Sequence, residues 1–117
     1  ENPLGRMKFI FPNKLAVYMH DTPAKSLFSN ARRAYSHGCI RLSKPQELLN
    51  IIASEDKSLD LGKIDSILKE TNEKAIGLSK KIPVHLVYLT SWVDEEGQLQ
   101  FREDIYNYDN IQKKLLY

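Results

Sequence analysis

A mixed α+β, β-rich domain is the fold class this sequence predicts, and three observations carry it. β-prone runs bounded by turn residues recur towards both ends of the chain, a helix-period apolar stripe fills the middle, and 117 residues are enough for one small core. The runs Met7–Phe11 and Leu15–His20, parted by the turn-forming Pro12-Asn13-Lys14, predict a hairpin. Strand alternation sets Leu15, Val17 and Met19 on one face and Ala16, Tyr18 and His20 on the other. From Asp21 to Tyr35 no periodicity lasts, which predicts a long loop of the kind that often carries function.

Ser43 predicts a helix start: it pairs with Gln46 as a capping box, and Pro45 occupies the permissive first turn. Leu48, Leu49, Ile51 and Ile52 form the expected buried stripe. A second helix is expected from Asp60 to Glu70 on the spacing of Ile64, Ile67 and Leu68, with Gly62 weakening its first turn. Pro83–Val93 is apolar on both faces and predicts a central strand, turned by Asp94-Glu95-Glu96-Gly97 into a partner at Leu99–Arg102. Ile111, Leu115 and Leu116 predict a short terminal helix.

Composition narrows the function. Seventeen Lys+Arg against fifteen Asp+Glu give a net charge of +2, too balanced to point to nucleic acid. No apolar run approaches the roughly 18–20 residues of a membrane helix. One cysteine excludes an intrachain disulfide framework and cannot alone build a thiolate-rich zinc site. The chain opens with Glu1 and shows no signal peptide, so it reads as a piece of something longer.

Ser36-His37-Gly38-Cys39-Ile40-Arg41-Leu42 holds the chemistry. A thiol becomes a useful nucleophile when a neighbouring base or cation favours the thiolate. In an extended backbone His37 and Cys39 point the same way, and Gly38 between them lets N–H groups turn towards a developing oxyanion. The plainer alternative is a buried Cys acting as a small hydrophobe beside a surface His. His20, at a strand end, is a second candidate base or a boundary histidine; His85, inside the most apolar stretch, reads as a hydrogen-bonded structural residue. A zinc set of His20, His37 and Cys39 has no carboxylate at motif spacing to support it. Arg32, Arg33 and Arg41 are either solvated or paired charges, or guanidinium clamps for substrate carboxylates.

His20, fifteen intervening residues, then Ser36-His37-Gly38-Cys39-Ile40-Arg41 resembles the signature of L,D-transpeptidase catalytic domains, the YkuD fold. Asn2-Pro3-Leu4-Gly5-Arg6, Tyr18-Met19-His20-Asp21-Thr22-Pro23, Leu27-Phe28, Ile82-Pro83-Val84 and Asp104-Ile105-Tyr106 look like the periplasmic Gram-negative subgroup with a capping insertion. The resemblance implies a YkuD-like β-sandwich with two or three short helices, and a cysteine acyltransferase acting on peptidoglycan stem peptides. Such enzymes attack the bond after the L-centre of diaminopimelate in a tetrapeptide stem, expel D-Ala, and pass the thioester to an acceptor amine as a 3→3 cross-link.

Carried onto this sequence, the resemblance makes Cys39 the nucleophile and His20 the general base. The backbone carbonyl of Asp21 orients His20, and the N–H groups around Gly38 and Cys39 form the oxyanion hole. Ser36, His37, Arg41, Tyr18 and Arg33 are the implied substrate-binding residues. No cofactor and no metal are implied. Carbapenem β-lactams are the implied covalent inhibitors, and the periplasm or cell envelope of a Gram-negative bacterium the implied location. The family's domain begins with strands upstream of anything like Asn2-Pro3-Leu4-Gly5. Residues 1–117 are therefore expected to be the C-terminal portion of one catalytic domain, lacking its N-terminal strands. An open sheet edge would then pair with that missing part or with another copy. Two other classes stay open: a non-catalytic binding or scaffold piece, and a cysteine-dependent peptidoglycan amidase or peptidase.

Overall fold

Along residues 2–117, which the computed structural model describes, the elements run β1 (Lys8–Phe9), β2 (Met19–His20), a 3-10 helix (Lys25–Ser29), β3 (Ile40–Arg41), α1 (Pro45–Glu55), α2 (Leu61–Lys69), β4 (Ser91–Val93), β5 (Leu99–Phe101) and α3 (Tyr108–Leu116). The class is mixed α+β, as the sequence predicts. The strands, however, are only two or three residues long, and the helices hold more residues than they do, so the β-rich weighting does not hold. The chain divides into two compact units, one ending at Pro83 and the other Val84–Tyr117.

In the first unit β1 and β2 pair antiparallel, Lys8 opposite His20 and Phe9 opposite Met19, so the expected hairpin exists. Its second arm is shorter than predicted because Asn13 organises the chain before it. The Asn13 side-chain oxygen accepts from the N–H groups of Leu15 and Val17 at 3.0 Å each, and its amide donates to the carbonyls of Phe11 and Val17. Ala16 is held at φ 53°, which breaks the alternation expected from Leu15 onward. Strand β3 then joins β2 in parallel, giving the order β1-β2-β3 with β2 in the centre.

Helix α1 forms where expected but not by the expected cap. Its N-cap is Lys44, with no side-chain hydrogen bond, so Ser43 and Gln46 make no capping box. Pro45 at the helix start has no N–H to satisfy, which reduces what a cap could contribute there. Gln46 instead reaches Asn50 along the helix at 3.2 Å. Within the predicted stripe Leu49 is buried, Leu48 and Ile52 are half-buried, and Ile51 is 61% exposed, so the apolar face is narrower than the spacing predicts. Helix α2 begins as predicted, with the Asp60 side chain accepting from the Lys63 N–H at 3.2 Å. Among the described residues, Pro45 and Leu49 of α1 and Ile64 of α2 are the buried apolar side chains of this unit's helices.

Just past α1, Asp56 is 1% exposed and fully engaged. It accepts from the Ser58 N–H and hydroxyl, the Ser79 hydroxyl and the Lys80 N–H, at 2.5–3.0 Å. The Ser79 hydroxyl above all, then the Lys80 amide and Ser58, hold its carboxyl far below the usual carboxylate range. One buried carboxylate thereby fixes residues 79–80 against the end of α1.

The second unit is a hairpin, β4 against β5, with Ser91 opposite Phe101 and Val93 opposite Leu99. Its turn is knitted by Asp94, which accepts from the N–H groups of Glu96 and Gln98 and from the Gln100 amide. Three tyrosines, Tyr88, Tyr106 and Tyr108, lie in mutual ring contact at 4.9–5.5 Å. Asp104 accepts from the Tyr88 hydroxyl and from the Asp109 N–H in the first turn of α3. The predicted central strand Pro83–Val93 is the main correction: only Ser91–Val93 is strand, and residues 83–89 run unpaired and exposed, Val87 at 76%. A strand is defined by its neighbours, and apolar residues on both faces cannot form one without a partner.

Candidate active site

His20 and Arg41 stand in the three-stranded sheet, and Cys39 immediately precedes β3. In β2 and β3, Met19 lies beside Ile40 and His20 beside Arg41; the Ile40 N–H donates to the Tyr18 carbonyl at 3.0 Å and the Leu42 N–H to the His20 carbonyl at 2.8 Å. Carrying that register back one residue puts Cys39 beside Tyr18. By alternation Tyr18, His20, Cys39 and Arg41 then fall on one face, with Cys39 and His20 at diagonal positions. Cys39 is a free, half-buried thiol.

His20 is 4% exposed, so it is not a solvent-boundary histidine. Its Nδ1 lies 2.5 Å from the Asp21 carbonyl oxygen. A carbonyl only accepts, so the proton sits on Nδ1 and the neutral ring keeps Nε2 as its acceptor. That is the tautomer a general base requires. The Tyr18 ring packs 5.9 Å from the imidazole, at a 59° tilt.

Asp21 is itself held from several directions. Its N–H donates to the Met7 carbonyl, and its carboxylate accepts from the Arg6 N–H at 3.1 Å and from Lys25 Nζ at 2.6 Å. Partial burial pushes the Asp21 carboxyl up, but the Lys25 ammonium and the N–H groups of Arg6 and Thr22 outweigh it and keep it below the usual range. Gly5, at φ +60°, packs so closely that a Cβ there would collide with the Asp21 side chain.

Around the thiol, the Ser36 hydroxyl donates to the Cys39 carbonyl at 2.6 Å and accepts from the Gly38 N–H at 3.2 Å. Gly38 takes φ +145°, and residues 36–38 bend rather than extend. The expectation that His37 and Cys39 point the same way through an extended backbone is therefore corrected. His37 is exposed on the bend. Arg41 reaches the Tyr35 carbonyl only at 3.5 Å, and Arg33 donates to the Asn30 carbonyl at 2.9 Å while staying exposed. His85, expected as a hydrogen-bonded structural residue, is exposed in the unpaired stretch of the other unit. Among the described residues no three of His, Cys, Asp and Glu gather as a metal site.

Sequence reasoning passed over Lys25 and Gly5. The signal for Lys25 was present: Asp21 and Lys25 stand at i,i+4 spacing. Gly5 carries no such signal, because the side chain it makes room for is sixteen residues away.

The chain belongs to the L,D-transpeptidase catalytic domain family, YkuD, which matches residues 2–82. It is also 35% identical, over 109 residues, to a protein of Haemophilus influenzae named "Putative L,D-transpeptidase". That similarity covers 93% of this chain and 22% of the relative, so the chain spans about a fifth of that protein's length.

Proposed function

We propose that this chain carries the acyl-transfer centre of a peptidoglycan L,D-transpeptidase working in the cell envelope. Cys39 is the nucleophile and His20 the general base, with the Asp21 carbonyl holding its tautomer. The Cys39 thiol gives its proton to His20 Nε2, and the thiolate adds to the carbonyl carbon of the diaminopimelate–D-Ala bond of a tetrapeptide stem. The oxyanion collapses as imidazolium returns the proton to the departing D-Ala amine, leaving a thioester on Cys39. An acceptor stem's amine then attacks; His20 takes its proton, and the thiol is regenerated as the 3→3 cross-link forms.

Removing one donor of an oxyanion hole typically costs about 10²–10³ in rate, so the N–H groups of Cys39 and Gly38 matter. For Gly38 to contribute, its 3.2 Å bond to the Ser36 hydroxyl must be shared or released when substrate enters. Tyr18 and Arg41 share the face of the thiol and are the nearest candidates to meet the stem, with Ser36, His37 and Arg33 along the preceding loop. The observation that carries this reading is the Nδ1 contact of His20 with the Asp21 carbonyl, on a strand registered beside the one that follows Cys39.

Incubating the intact protein with a carbapenem, then mapping the adduct by mass, tests it. One adduct on the peptide bearing Cys39, lost in Cys39→Ala, is expected. An adduct at another residue, or none, overturns the assignment of the nucleophile.

A further inference from the structure

Strand pairs two residues long are a slender support for a proton-transfer geometry, and the segments beyond their ends need holding. Strand β2 ends at His20 and is followed by Asp21; β3 ends at Arg41 and is followed by Leu42. Lys25 Nζ lies 2.6 Å from the Asp21 carboxylate and 2.9 Å from the Leu42 carbonyl, so one ammonium spans both. The turn before it aims the side chain: the Ala24 N–H donates to the Thr22 hydroxyl, and the Lys25 N–H to the Pro23 carbonyl, as the 3-10 helix begins.

We propose that Lys25 is a positioning residue, clamping the end of the base strand to the end of the strand that follows the nucleophile and so setting the His20–Cys39 separation. The inference rests on the catalytic roles given above. The Lys25 side chain is 44% exposed and its Asp21 partner 15%, and one ammonium serves two acceptors, so its value lies in geometry. Its two acceptors lie just past the ends of different strands, so losing it removes a contact from both at once and leaves the Leu42 N–H bond to the His20 carbonyl as the remaining tie between them. Arg has more donors and comparable reach, and can serve the same pair of acceptors. Met keeps the aliphatic stem and loses every donor.

The test is the pH dependence of Cys39 alkylation by iodoacetamide in the intact protein, read by mass on the peptide bearing Cys39, for wild type, Lys25→Met, Lys25→Arg and His20→Ala. Lys25→Met should move the pH profile of alkylation towards that of His20→Ala, with a lower rate at about pH 6.5 than wild type. Lys25→Arg should restore the wild-type profile, and melting temperatures should stay close together. If His20→Ala shifts the profile while Lys25→Met overlays wild type, the clamp is overturned and the catalytic reading stands. If Lys25→Met lowers the melting temperature alone, its role is structural only and the proposal falls. If His20→Ala overlays wild type, the Cys39–His20 pairing fails, and the proposal with it.

Discussion

The unit ending at Pro83 and the unit from Val84 onward both contain β-prone runs, but they use them differently. In the first, β2 has a neighbour on each side, and a buried histidine stands at its end with its tautomer determined by the backbone. In the second, Val84, Leu86, Val87 and Leu89 are exposed in an unpaired stretch, and pairing begins only at Ser91. The family match ends at residue 82, next to this division. Apolar β-propensity is common to both units; what differs is whether a partner strand lies within reach. Histidine makes the same point, since His20 is buried and oriented while His85 is exposed.

That contrast breaks most sharply at the histidines. His20→Ala should lower acylation of Cys39 by about 10²–10⁴-fold, the range for losing a general base. His37→Ser should be milder, and His85→Ala should leave the rate near wild type. A large loss from His85→Ala, with His20→Ala nearly normal, would invert the assignment of the two units.

Next comes the carboxylate at the end of α1. Asp56→Asn removes the charge that Ser79, Lys80 and Ser58 were arranged to stabilise, and should lower the melting temperature measurably at neutral pH. Its folded-state pKa is depressed, so its contribution is fully present above the ordinary carboxylate value of about 3.9 and disappears as pH falls below it. The gap between wild type and variant should therefore narrow in acid, as calorimetry across pH 2–6 would show (about that range). A gap that widened in acid would remove Asp56 from this role.

The unpaired stretch sharpens the comparison further. Exposed apolar residues on an edge without a partner invite strand addition. The chain is expected to self-associate through residues 84–89, and Val87→Lys to shift it towards monomer in light scattering. A wild-type chain that stays monomeric at high concentration would show that this edge does not pair. The smallest effect is expected at Ser43. Because it caps nothing, Ser43→Ala should change stability by less than about 0.5 kcal/mol, rather than the 0.5–2 kcal/mol lost with a working cap.

The sequence by itself determined what depends on near neighbours. All three expected helices form, and the second falls within a residue of its expected Asp60–Glu70 span, because i,i+4 spacing, the Asp60 cap and Pro45 act within one or two turns. The Asp94–Gly97 turn was legible for the same reason, and the His20-to-Cys39 spacing carried the family resemblance. Tertiary structure alone decided which β-prone runs became strands, because pairing needs a second segment with free hydrogen-bonding groups and residues 83–89 have none beside them. It also decided the burial of His20 and the Leu42 carbonyl that Lys25 reaches seventeen residues along the chain. Both depend on groups whose positions are settled only when distant parts of the backbone come together.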